Sequence, residues 1–181
     1  MNIPNLITLS RLLSVPVMVW LIVDGILLAA FWLFVIAGIS DAVDGLVAKH
    51  LDAETELGRF LDPLADKALL VSVFIALGYQ EHLASWLVIL VVFRDALIVG
   101  GAMLFQTLTQ SLTMQPLTIS KINTAAQIVL AAAVLAGLGL EFDFGVLIPA
   151  LTYGVAATTA ASGVIYIFMW TRRAAEFGGG Q

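Results

Sequence analysis

The sequence contains no cysteine, and charged residues are scarce along its 181 residues. Without cysteine there are no disulfides, and no thiolate is present for nucleophilic or metal chemistry. Asp, Glu, Lys and Arg make up 12% of the chain, whereas apolar residues make up 61%. Soluble domains are typically about 25% charged and about 45–50% apolar. This composition, with a mean hydropathy of +1.03, predicts an integral membrane protein.

Several common kinds of functional site are missing as well. The sequence has no internal repeat, no glycine-rich nucleotide loop and no Ser-His-Asp arrangement. Its two histidines, His50 and His82, are expected at the membrane interface and not as ligands. The net charge of −5 is weakly informative, and nucleic acid is not expected as a partner.

Six apolar segments follow an amphipathic opening stretch. Residues 1–11 are interpreted as a short interfacial helix and not a cleaved signal, because no basic region precedes the first apolar run. The segments are residues 12–23, 28–48, 63–79, 84–105, 119–138 and 144–170. Because about 20 residues span the hydrocarbon, the sequence predicts an all-α membrane protein with six transmembrane helices. Residues 1–181 form one domain in this interpretation, and residues 174–181 are a flexible tail.

The basic residues predict the orientation of these segments. All but one fall on one side of a six-helix arrangement: Arg11, Lys49, Arg59, Lys67, Lys121, Arg172 and Arg173. The opposite loops contain acidic residues but neither Lys nor Arg. By the positive-inside rule, both termini and residues 41–67 are expected in the cytoplasm.

Four aspartates border the second and third segments at helical spacing. Asp41 and Asp44 are spaced i, i+3. Asp62 and Asp66 are spaced i, i+4, although Pro63 disfavours helical geometry at Asp62 unless a helix starts or kinks there. Each spacing places two carboxylates on one helix face, where they repel unless a cation lies among them. Because Mg²⁺ and Mn²⁺ prefer oxygen ligands, the acids predict a site for two divalent ions.

The stretch from Asp41 to Lys67 resembles the signature of the CDP-alcohol phosphatidyltransferase family, D-x2-D-G-x2-A-R-x8-G-x3-D-x3-D. Seven of the eight specified positions match at fixed spacing: Asp41, Asp44, Gly45, Ala48, Gly58, Asp62 and Asp66. The eighth position is Lys49, which offers phosphate a point charge where the family's Arg offers a planar fork. The plainer interpretation is a polar loop whose acids are solvated.

The resemblance implies a reaction and a role for each motif residue. Family members transfer a phosphatidyl group from a CDP-linked lipid to an alcohol and release CMP. They have six membrane helices and are often homodimers. Asp41, Asp44 and Asp62 are then expected as metal ligands, with Asp66 completing the site and acting as general base.

The remaining motif positions are expected to contact the CDP group together with Asp41, Asp44 and Asp62. They are Gly45, Ala48, Lys49 and Gly58. Gly45 and Ala48 leave room on their helix face, so that a flat, bulky nucleotide can approach the backbone.

Two further cationic residues are candidates for binding phosphate. Arg94 lies with Asp95 inside the fourth segment, where charges are expected to face the helix bundle. The two residues either form a pair that locks helices together, or Arg94 lines the cavity of the aspartates and binds phosphate. Lys121 is either an orientation anchor or a second phosphate ligand, and Ser120 is expected to cap the fifth helix.

The acceptor alcohol depends on weaker resemblances. The stretches NIPNLITLSR and FLDPLADK resemble both phosphatidylglycerophosphate synthases and cardiolipin synthases of mitochondrial type, whereas SKINTAAQ, FRDALIVGG and TTAASG resemble the second group. These features favour phosphatidylglycerol as the acceptor of a phosphatidyl group from CDP-diacylglycerol, giving cardiolipin. Glycerol-3-phosphate is the alternative, although a small dianion favours more cationic residues than the eight Lys and Arg present.

Other classes of function stay open at this level. Intramembrane acids also build cation pathways, although these acids cluster at one membrane face. An inactive assembly protein of the same fold would differ only in an assay for CMP release. The enzyme interpretation places the active site on the cytoplasmic face of a bacterial inner membrane.

Overall fold

The residues described by the computed structural model form six α-helices. The structure describes residues 3–51, 56–109 and 118–178, and it describes side chains for residues 10–40, 67–101 and 118–172. The helices are α1 (Ile3–Val23), α2 (Leu27–Leu51), α3 (Glu56–Tyr79), α4 (Ser85–Thr109), α5 (Thr118–Gly139) and α6 (Leu147–Gly178). Across the described ranges only helices and turns occur, which confirms the predicted all-α class.

Three helices differ most in extent from the sequence prediction. Helix α1 runs unbroken from Ile3, so the predicted interfacial helix of residues 1–11 and the first apolar segment are one element. Helix α3 begins at Glu56, seven residues before Pro63, where the apolar pattern placed the start. Helix α6 continues to Gly178, into the predicted tail. Proline at a helix start is locally favoured, but that preference is weak beside the packing of neighbouring helices.

The helices pack around one apolar core. Helix α1 packs against α2 and α3, α5 packs against α2, α3 and α6, and α4 packs against α3 and α6. Fully buried side chains from these contacts include Ile22 of α1, Phe74 and Leu77 of α3, Leu87 of α4 and Leu135 of α5. Close packing of these side chains stabilises the bundle through many weak dispersion contacts.

The outer surface of the bundle is also apolar. Each of the six helices has large apolar side chains that are more than half exposed, among them Trp20, Ile89, Phe93 and Phe168. Within the described residues, two helical stretches are long and apolar enough to cross a membrane, Thr118–Gly139 and Leu147–Arg172. Three shorter apolar stretches occur in α1, α2 and α3. An apolar exterior around an apolar core is expected of a protein whose surroundings are lipid.

Tight helix ends close the end of the bundle opposite the aspartates. Gly25 follows α1 with a φ of 77°, which glycine adopts without a side-chain clash. The N–H of the next residue donates to Leu21 O of α1 at 2.8 Å, a common helix-ending hydrogen bond. Gly139, at the end of α5, lies so close to the first turn of α2 that an added Cβ would approach Leu27 O to 2.9 Å. The polar motif is left at the other end.

Candidate active site

The motif aspartates lie on two continuous helices. Asp41 and Asp44 are in the second half of α2, which runs to Leu51. Asp62 and Asp66 are in the first half of α3, and helical backbone continues through Pro63 between them. The spacings i, i+3 and i, i+4 therefore place each pair on one helix face, as the sequence predicts. Their side chains lie outside the described residues, as do those of Gly45, Ala48, Lys49 and Gly58.

Lys67, the residue after Asp66, begins a buried ionic network. Its ammonium Nζ donates to Asp95 Oδ1 of α4 at 2.8 Å. The Lys67 side chain is 25% exposed, whereas that of Asp95 is 4% exposed. A buried carboxylate requires a partner of opposite charge. The contact therefore fixes the motif-bearing part of α3 against α4.

Arg94 extends this network to two further helices. Its Nη1 donates to Oδ1 of the neighbouring Asp95 at 2.6 Å. Its Nη2 donates to Ser120 Oγ of α5 at 2.6 Å and to Ser162 Oγ of α6 at 2.6 Å. Its Nε also donates to Ser162 Oγ, at 3.1 Å. Since Arg94 is 1% exposed, these polar partners replace the water that a guanidinium loses on burial.

A second polar group lies on the same face of α5 as Ser120. Asn123 Oδ1 accepts hydrogen bonds from Thr158 Oγ1 at 2.7 Å and from Thr159 Oγ1 at 2.9 Å, both on α6. Gln127 lies one turn further along α5 and is fully buried. Among the described residues, neither amide atom of Gln127 nor Nδ2 of Asn123 has a hydrogen-bond partner. Such groups usually bind ordered water.

The two predicted phosphate ligands, Arg94 and Lys121, differ in their exposure. Arg94 is enclosed in the bundle, and each of its three nitrogens already donates to the protein. It thus forms the helix-locking pair that the sequence allowed, and its contact with phosphate stays a prediction. Lys121 is exposed near the start of α5, one residue after Ser120. Ser120 itself is not the cap, because α5 already begins at Thr118 and the hydroxyl of Ser120 accepts from Arg94.

Sequence reasoning missed most of the network that surrounds Arg94. The sequence alone identifies Lys67 only as one of the cytoplasmic cations, and Ser162 only as part of the TTAASG stretch. The available signal was the position of Lys67 directly after Asp66 and before residues 68–79, which carry no charge. The partners Ser120 and Ser162 come from distant parts of the chain, and the packing of α4, α5 and α6 brings them together.

The donor set of the motif fits a hard divalent cation. Among the side chains that the structure describes, no group of three His, Asp or Glu residues is arranged to hold a metal. Four carboxylates on α2 and α3 are nevertheless the oxygen donors that Mg²⁺ and Mn²⁺ accept in proteins. Asp41, Asp44, Asp62 and Asp66 therefore stay the candidate ligands.

Comparison with known protein families decides how this site is classified. The family model described as CDP-alcohol phosphatidyltransferase matches residues 1–171. The chain belongs to the CDP-alcohol phosphatidyltransferase family. The match covers both motif helices and the whole Arg94 network, so the polar end of the bundle is part of the family domain.

Relatives of this phosphatidyltransferase chain carry two different names. It is 37% identical to the chloroplastic CDP-diacylglycerol–glycerol-3-phosphate 3-phosphatidyltransferase 1 of Oryza sativa subsp. japonica, over 92% of this chain and 56% of the relative. It is 31% identical to the cardiolipin synthase (CMP-forming) of Rattus norvegicus, over 91% of this chain and 60% of the relative. It is 33% identical to the glycerol-3-phosphate enzyme of Bacillus subtilis (strain 168), over 74% of this chain and 76% of the relative. The chain spans about half the length of most curated relatives that it matches.

Proposed function

We propose that the protein transfers a phosphatidyl group from CDP-diacylglycerol to a hydroxyl of phosphatidylglycerol, giving cardiolipin and CMP. The observation that carries the reaction class is the spaced motif from Asp41 to Asp66, within a family match over residues 1–171. The names of the relatives agree on CDP-diacylglycerol chemistry or CMP release and differ on the acceptor. The acceptor is therefore the more specific part of the proposal.

In the proposed mechanism each motif carboxylate has a defined task. Asp41, Asp44 and Asp62 would hold two Mg²⁺ or Mn²⁺ ions, which would supply positive charge at the pyrophosphate. Asp66 completes this ligand set and accepts the proton of the acceptor hydroxyl. The hydroxyl oxygen forms a bond to the lipid-side phosphorus, and the bond between that phosphorus and the CMP oxygen breaks. CMP leaves with the electron pair of the broken bond.

The other motif residues are proposed to hold the nucleotide. Gly45 and Ala48 are small and leave room on one face of α2, so that the CDP group can lie close to the backbone. Gly58, one turn before Asp62, leaves room in the same way on α3. Lys49 contacts a phosphate as a point charge and gives less geometric control than the family's Arg.

The choice of phosphatidylglycerol rests on the scarcity of cations and on three sequence stretches. Lys121, which is exposed near the start of α5, is the proposed ligand of the acceptor phosphate. Glycerol-3-phosphate is a small dianion that favours additional cationic contacts, whereas phosphatidylglycerol carries one phosphodiester and can enter sideways from the bilayer. The rice relative, at 37% identity, favours glycerol-3-phosphate and keeps that acceptor as the second candidate.

A direct comparison of acceptors tests this proposal. Purified protein with CDP-diacylglycerol and Mg²⁺ is given phosphatidylglycerol, glycerol-3-phosphate, inositol phosphate or serine in separate reactions. We expect cardiolipin and CMP with phosphatidylglycerol and little product with the others. Robust conversion of glycerol-3-phosphate, with none of phosphatidylglycerol, would overturn the acceptor and leave the family reaction standing.

We further propose that all six helices cross the membrane of a homodimeric protein, in a bacterial inner membrane with the active site facing the cytoplasm. The one-sided distribution of Lys and Arg supports this orientation. The apolar exterior of the described helices supports insertion in lipid. The family resemblance is the support for the homodimer.

Cysteine labelling tests the proposed topology, because the native chain contains no cysteine. Single cysteines at Glu56 and Gln181 are expected to react with a membrane-impermeant maleimide only from the cytoplasmic side. A cysteine at Glu141, between α5 and α6, is expected to react only from the opposite side. Labelling of the Glu56 and Glu141 variants from the same face would contradict the six-helix arrangement.

A further inference from the structure

We propose that Lys67 binds a phosphate of a substrate, and that Asp95 is the positioning residue that holds its ammonium group for this task. This inference rests on the proposed function and adds two residues to its site. It starts from the charges of the network formed by Lys67, Arg94 and Asp95. Arg94 and Lys67 share a single carboxylate oxygen, Asp95 Oδ1, at 2.6 and 2.8 Å.

The network contains one more positive charge than is needed to hold the helices together. Arg94 and Asp95 alone would form a neutral pair that joins α4 to α5 and α6 through the two serines. Adding Lys67 brings a second cation into a partly buried place, where removing a charge from water is costly. An anion that arrives with the substrate would offset this surplus charge, and phosphate is the anion of the proposed reaction.

The three charged side chains differ in their access to such an anion. Arg94 and Asp95 have side-chain exposures of 2% and 4%. Lys67 has a side-chain exposure of 25%, which makes it the open member of the network. An ammonium group has three N–H donors, and one of them goes to Asp95 Oδ1. A phosphate can thus bind Lys67 without breaking its contact with Asp95.

The position of Lys67 on α3 places it beside the acid motif. It follows Asp66 directly, about 100° further round the helix at 3.6 residues per turn. Its ammonium is anchored on the α4 side, and the flexible four-carbon stem keeps it within reach of the region next to Asp66.

Kinetics of two Lys67 variants test the proposal. Lys67→Met removes the charge and leaves the neutral Arg94–Asp95 pair, so the fold is expected to persist with an unchanged melting temperature in detergent. We expect kcat/KM to fall about 10- to 100-fold, the size of one lost hydrogen bond to a charged group. The loss should appear mainly in KM, and Lys67→Arg should recover most of it. Arg172→Met, which removes an exposed cation at the end of α6, is the matched control and should leave both constants unchanged.

The substrate whose KM changes identifies the source of the phosphate. CDP-diacylglycerol is varied at saturating phosphatidylglycerol, and then phosphatidylglycerol is varied at saturating CDP-diacylglycerol. A rise in the first KM assigns the donor pyrophosphate to Lys67, and a rise in the second assigns the acceptor phosphodiester. KM values of Lys67→Met within about twofold of wild type for both substrates would overturn the proposal. So would a loss that Lys67→Arg fails to recover and that accompanies a lower melting temperature.

Two further measurements isolate the role of Asp95 and the dependence on the proposed function. If Asp95 acts through Lys67, the two substitutions are coupled. The loss of kcat/KM in the double variant Lys67→Met/Asp95→Asn should then be well below the sum of the losses in the two single variants. Additive losses would remove the positioning role.

Equilibrium binding of CDP-diacylglycerol and of phosphatidylglycerol to wild type and Lys67→Met needs no turnover. Absence of CMP release by wild type with every acceptor would overturn the proposed function, whereas equal binding of both lipids by the two proteins would overturn the Lys67 site.

Discussion

Asp66→Asn is expected to lower the turnover of the protein by about 10²–10⁴, the usual cost of removing a general base. The amide keeps the size of the carboxylate but cannot accept the proton of the attacking hydroxyl. Binding of CDP-diacylglycerol should persist, because three motif carboxylates remain on α2 and α3. The measurement is CMP release under saturating substrates, together with equilibrium binding of CDP-diacylglycerol.

Asp41→Asn is the matched control for this substitution. It also replaces one motif carboxylate by an amide, but at a proposed metal ligand that is not the base. Its activity should therefore be partly restored by raising the Mg²⁺ concentration, whereas the activity of Asp66→Asn should respond much less. Near-normal turnover of Asp66→Asn would assign the proton to another acceptor.

Chelation is expected to have the largest effect of all. The two carboxylates on one face of α2, and likewise the two on α3, repel each other without cations, and the proposed substrate adds a pyrophosphate. Activity should vanish in excess EDTA and return when Mg²⁺ or Mn²⁺ is supplied above the chelator concentration. CMP release before, during and after chelation measures this.

A stability measurement accompanies the chelation experiment as its control. The melting temperature in detergent with EDTA shows whether the protein stays folded while it is inactive, since the apolar core does not involve the motif. Full recovery of activity on adding metal would confirm that the loss was reversible. Undiminished turnover in excess chelator would remove the metal site from the mechanism.

The helices were largely predictable because their apolar runs are long. The segments at residues 84–105 and 119–138 differ from α4 and α5 by one to four residues at each end. The predicted start of α3 was wrong because Pro63 is a strong local signal for the beginning of a helix. In the structure the seven residues before Pro63 are also helical. Likewise, the polar residues before position 12 suggested a separate element, although the backbone continues through them as α1.

The candidate site was predictable in its motif and not in its packing. The fixed spacing identifies the aspartates because intervals of three or four residues place side chains on one helix face. No comparable rule connects Arg94 with Ser162, which is 68 residues away and on another helix. The sequence did indicate that Arg94 should face the bundle, since a charge at that depth avoids lipid. Its burial confirms that expectation, and its partners could be identified only from the folded arrangement.

The proposed reaction moves a phosphatidyl group from CDP-diacylglycerol to an alcohol. Its most direct test is the ratio of CMP to new phospholipid made by the purified protein, measured with and without phosphatidylglycerol. The proposed reaction predicts one CMP for each cardiolipin and neither product when the acceptor is omitted. CMP released with phosphatidic acid and no cardiolipin, whether or not acceptor is present, would show transfer to water and contradict the claim.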